Sequence, residues 1–213
     1  MCWNENVSIN TFIFGVSILS LIFINNKHST HKIELFSNPY SYLFFMSFIT
    51  MQFFEFILWR NINNKVINNF VSILGLSLLA IQPIASLTML KHLPLRNKLI
   101  KMYSIPAFIY IIYQLKTNNV NTTITNNNHL KWNWTSDNNV ITLIVYIYYL
   151  FFLYFSLFYN KHYTGIITTL PLFMLMYYYY YKEGSAGSLW CWSINIIVAY
   201  YLVKLIYINT LIH

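Results

Sequence analysis

The chain has 213 residues, 57% hydrophobic and only 8% charged, with 13 Lys and Arg against 5 Asp and Glu. Soluble domains carry ~25% charged residues, so this composition excludes an ordinary water-soluble domain and points to lipid as the solvent. The net charge of +8 is not gathered into a basic face with readout elements, so nucleic acid is excluded as a partner.

A helix needs ~20 mainly apolar residues to cross ~30 Å of hydrocarbon. Seven segments approach that length, at residues 9–25, 41–59, 66–90, 102–115, 140–159, 163–181 and 189–212, the fourth being the shortest. The expected fold class is all-α: one polytopic domain, residues 1–213, forming a bundle of seven transmembrane helices. Short connections between most of them make sequential helices antiparallel neighbours.

The first segment has no basic stretch before it and no small-residue cleavage pattern after it. It is expected to be a retained helix rather than a signal peptide. The second contains Glu55, the sole carboxylate within any of the seven segments, with Gln52 three residues before it and Trp59 four after. These spacings put the three on one helix face. Arg60 closes the same segment and either folds back toward Glu55 or anchors the helix end at the interface.

The third segment opens with Asn69 and Ser72 and carries Gln82 before Pro83; Pro106 and Pro171 fall in the fourth and sixth. A proline within a span removes a backbone hydrogen bond, and either shapes the bundle or offers a hinge. Between the fourth and fifth segments, the Asn/Thr-rich connection 116–139 reads as low complexity and mobile over 117–128. Its end, with Trp132 and Trp134, is expected to fold back onto the membrane surface. The seventh segment begins with Trp190-Cys191-Trp192, places Asn195 one turn further on, and holds Lys204 near its far end.

Loop charge sets the orientation. Lys27, Lys32, Lys91, Arg96, Lys98, Lys101, Lys161 and Lys204 fall on one side of a seven-span chain. That side is the cytoplasmic one, because short basic loops are retained there. The N-terminus is then outside or lumenal and the C-terminus cytoplasmic. The three glycosylation-type sequons, at Asn6, Asn121 and Asn133, all fall outside.

On this topology the outer half of the bundle collects the polar and sulfur chemistry: Cys2, Trp3, Gln52, Glu55, Trp59, Asn69, Trp190, Cys191 and Asn195. A carboxylate in hydrocarbon must be neutral, paired or hydrated. Glu55 is therefore either a satisfied structural residue or a proton acceptor or ligand. Three readings stand for Cys2 and Cys191: a disulfide between them, two inert packing thiols, or chemistry at Cys2 as nucleophile or soft-metal ligand with Glu55 as base.

Lys204 in the last segment invites a retinal protein, but the third segment has no acidic counterion. A seven-helix metal hydrolase of the ceramidase type needs helical histidine ligands, and no segment has a helical His pair. No metal site and no cofactor are expected.

Met1-Cys2-Trp3, Gln52 with Glu55 and Trp59, Pro83 followed by Arg96 and Lys98, and Trp190-Cys191 together resemble a family of small membrane proteins. Its members occur in bacteria, some eukaryotes and large DNA viruses. The resemblance implies a seven-helix fold and no particular activity. Asn4 stands where that family commonly has Ser, and Met51 where some members carry His. The many Tyr and Asn residues fit a viral member.

The leading functional expectation is binding or transport of a small molecule or ion, proton-coupled, through an outward-facing polar pocket around Glu55. The partners expected are the lipid bilayer and that ligand. The alternatives are an intramembrane enzyme built on Cys2, and a receptor-like or structural bundle with no ligand of its own.

Overall fold

The computed structural model describes residues 4–117, 120–135, 140–180 and 182–210. Among them are seven α-helices: α1 (Glu5–His28), α2 (Pro39–Arg60), α3 (Lys65–Leu87), α4 (Leu93–Thr117), α5 (Val140–Tyr159), α6 (Tyr163–Tyr180) and α7 (Ala186–Thr210). Four of these, α1, α2, α3 and α7, are long and apolar enough to cross a membrane. Among the described residues the protein is all-helical but for one small hairpin, and its four apolar helices make it membrane-embedded.

The asparagines have a local use. Asn4 Oδ1 accepts from the Val7 amide at 2.9 Å, Asn38 Oδ1 from Tyr40 at 3.1 Å and Asn64 Oδ1 from Ile67 at 3.2 Å. Each satisfies one of the donors left over at a helix start, a contribution of about 1 kcal/mol. His92 does the same for α4, its Nδ1 accepting from Leu95 at 3.2 Å, with Pro94 in the first turn. α4 thus begins at Leu93, well before the expected position 102. Its opening turns carry Arg96, Lys98 and Lys101, which a hydropathy reading assigns to a loop. α1 likewise starts earlier than expected and takes Glu5 into its first turn.

α1 packs on α2 and α7, α2 also on α3 and α7, α3 on α4 and α5, and α6 on α5 and α7. α4 therefore lies at the edge, seated mainly on α3. Gly15 lets α1 approach α2 closely, since a Cβ there would sit 2.9 Å from Ile49. The core is aromatic: Phe48 meets Trp190 edge-on at 5.6 Å, and Phe45 meets Tyr201 at 5.8 Å. Such pairs add about 1 kcal/mol each beyond the area they bury.

Hydrogen bonds sort the two ends of the bundle. At one, Asn38 and Asn160 both donate to the Met89 carbonyl, and Asn209 donates to Asn25. At the other, Arg60 pairs with Glu5 at 3.3 Å and Asn127 donates to Glu183. The helices alternate in direction between these ends.

The connection after α4 differs from expectation. It forms an antiparallel hairpin, β1 (Thr122–Ile124) with β2 (Leu130–Trp132), Thr122 opposite Trp132. Asn128, at φ 57°, turns the chain, a conformation Asn tolerates well. Val120, Thr122, Leu130, Trp132 and Trp134 are buried, so the segment plugs into the bundle rather than lying on the membrane surface. Trp132 stacks over Gly75 of α3, where a Cβ would sit 2.3 Å from its ring. The reason is that Asn and Thr repeats look structureless by composition, while the alternating apolar residues supply the docking face.

Candidate functional site

α1, α2 and α7 converge on Glu55. Gln52 and Glu55 have no exposed surface at all. Thr11 of α1 donates to Gln52 Oε1 at 3.2 Å, and Ser188 Oγ of α7 donates to Glu55 Oε1 at 2.7 Å. Cys191 and Asn195 follow Ser188 at helical spacing, three and seven residues on, and both are buried. Cys191 carries a free thiol. Cys2, its possible disulfide partner, and Trp3 lie outside the described residues.

Buried polar atoms with no protein partner among the described residues include Gln52 Nε2, Asn195 Oδ1 and the indole nitrogens of Trp59, Trp190 and Trp192. A buried polar group left unpaired costs about 1–3 kcal/mol, so native structures usually supply it with water or a ligand. The Asn195 amide donates instead to the Trp192 carbonyl of its own helix at 2.8 Å.

Arg60 and Asn69 are committed elsewhere. Arg60 is exposed; it pairs with Glu5 and lies 5.6 Å from the Phe56 ring centroid, so it anchors the helix end. Asn69 is exposed and donates to the Val120 carbonyl at 2.9 Å. The buried asparagine of α3 is its neighbour Asn68, which donates to the Thr122 carbonyl at 2.8 Å and accepts from the Thr122 amide at 2.9 Å. Ser72 joins it, 2.8 Å from Thr122 Oγ1. The polar start of α3 therefore docks the hairpin.

Sequence reasoning missed Ser188 and Thr11. Ser188 was assigned to the connection before the seventh segment, whereas α7 begins at Ala186. Its place one turn before Cys191 was the available signal.

Among the described residues no three His, Cys, Asp or Glu side chains form a metal-ligating group. A separate cavity of about 290 Å³ lies among α3, α4, α5, α6 and α7, toward the hairpin. Trp190 and Trp134 line it; Glu55, Gln52 and Ser188 do not.

Comparison with protein-family models, with curated proteins and with solved structures gives no match.

Proposed function

We propose that this chain is a seven-helix membrane protein, N-terminus outside and C-terminus cytoplasmic, that binds and transports a proton or small cation at Glu55. The observation carrying this reading is a fully buried carboxylate, held by Ser188 beside an amide, Gln52, whose nitrogen has no protein partner among the described residues. A charged side chain inside a spanning helix is costly, up to roughly 3 kcal/mol at the centre and less toward the ends, and such residues generally mark ion or proton pathways.

The topology rests on charge. Eight of the 13 basic residues fall at the end of the bundle that holds Asn38, Met89 and Asn160, with Glu34 the one carboxylate there. Glu5, Glu55 and Glu183 belong to the other side. That asymmetry matches retention of basic loops in the cytoplasm. Membership of the family resembled, through Gln52, Glu55, Trp59 and Trp190-Cys191, is part of the same proposal.

The test is flux in vesicles of purified protein carrying an internal pH dye, with an imposed proton, sodium or potassium gradient. The reading expects flux in the wild type and none in Glu55→Gln. Equal flux in both, or none in a correctly inserted wild type, overturns it.

A further inference from the structure

The large cavity takes no part in the Glu55 site, and its walls have their own chemistry. No charged side chain lines it. Three lining hydroxyls are already committed to protein acceptors: Tyr110 to the Trp134 carbonyl at 3.3 Å, Tyr148 to the Met102 carbonyl at 2.6 Å, and Tyr149 to Gln82 Oε1. Tyr103 and Tyr146 line it too, and the rest of the wall is aliphatic and aromatic.

Trp134 and Trp190 are 2% and 4% exposed, and their indole nitrogens are enclosed by protein rather than open to the cavity. A charged ligand finds no counter-charge here. Water needs two to four polar partners, and a wall this apolar does not offer them. An occupant that is mostly hydrocarbon suits these walls.

The surroundings say where such an occupant comes from. α4 and α5 meet through Tyr103, Tyr148 and Phe152 at one end of the cavity. Beside it, Ile105, Ile109, Ile144 and Ile147 are exposed on their outer faces. In a bilayer those faces touch acyl chains. On the α7 wall there is room as well: a Cβ on Gly187 meets nothing within 4 Å.

We propose that this cavity holds the acyl tail of a membrane lipid. The proposal rests on α4 and α5 lying in the bilayer, as in the seven-helix reading, and is independent of any role for Glu55.

The experiment uses tryptophan quenching in delipidated, detergent-purified protein. The probes are a stearate brominated in mid-chain and a phosphatidylcholine bearing the same chain. The wild type is expected to show saturable quenching with at least one of them, above the linear quenching of detergent-partitioned probe. Saturation by phosphatidylcholine alone identifies a bilayer phospholipid as the source, and by stearate alone a free fatty acid. Saturation by both means that the tail itself is recognised. Two cavity-filling variants, Gly187→Leu and Ala107→Phe, are expected to lose the saturable part while keeping a native circular dichroism spectrum. Glu55→Gln is expected to keep it, so the fate of the transport reading does not decide this one. Absence of saturable quenching in the wild type overturns the proposal, whatever the variants do. So does saturable quenching that persists unchanged in either folded filling variant.

Discussion

Ser188 and Glu55, 133 positions apart in the chain, meet through a 2.7 Å hydrogen bond that ties α7 to α2 where neither side chain has more than 1% exposure. A hydroxyl in that position can donate to a carboxylate or accept from a carboxylic acid, so the contact survives a change of protonation. That property is what a proton-exchanging site needs from its support.

Removing the hydroxyl should weaken the bundle. Ser188→Ala leaves a buried carboxyl oxygen without this donor, at a cost of about 1–3 kcal/mol. The check is thermal unfolding in detergent, where Ser188→Ala should lower Tm and Ser188→Thr should recover most of the loss.

Gly75→Ala sets two effects against each other. Alanine in a helix interior gains about 1 kcal/mol over glycine. The new Cβ, however, would lie 2.3 Å from the Trp132 ring, and overpacking costs about 1–3 kcal/mol or more. The ring is fully enclosed, so the clash wins. Tryptophan emission should shift to the red as the hairpin undocks, and Tm should fall. A raised Tm contradicts the docking described here.

Tyr149 is the main tether of Gln82, since the other contact, Gln82 Nε2 to the Ser47 carbonyl, is long at 3.4 Å. Tyr149→Phe strands a buried amide oxygen next to Pro83. The expected loss is about 1–3 kcal/mol, measurable by the same unfolding assay and larger than that of Tyr113→Phe on the exposed side of α4.

Acid should loosen the hairpin. His129 is buried edge-on against Tyr180, 5.5 Å between ring centroids, and burial lowers its pKa, with Glu183 opposing. Burial lowers that of His162 as well. A histidine with a depressed pKa binds fewer protons folded than unfolded. Its stabilising contribution is therefore complete above the unfolded value of about 6.5 and is lost as the pH falls through it. Tm should drop between neutrality and about pH 5, and His129→Phe should flatten part of that slope.

The sequence made the helices legible because apolar runs of bilayer length leave few alternatives. It failed at α4, where a basic first turn hid the helix start, and at the hairpin, where composition concealed a period of two. Glu55 and Gln52 were legible as one face of one helix. Their partners were not, because Thr11 and Ser188 are ordinary hydroxyl residues until α1 and α7 are placed beside α2. Asn68 and Asn69 could not be told apart without knowing which way α3 is turned.

The most direct measurement is an infrared titration of the protein in lipid, following the carboxyl stretching band as bulk pH is changed. If Glu55 exchanges a proton, a band that responds to pH will be present in the wild type and in Glu5→Gln, and absent in Glu55→Gln. A spectrum in which Glu55→Gln removes no pH-responsive band means that this carboxyl is a sealed structural group, and the transport reading fails.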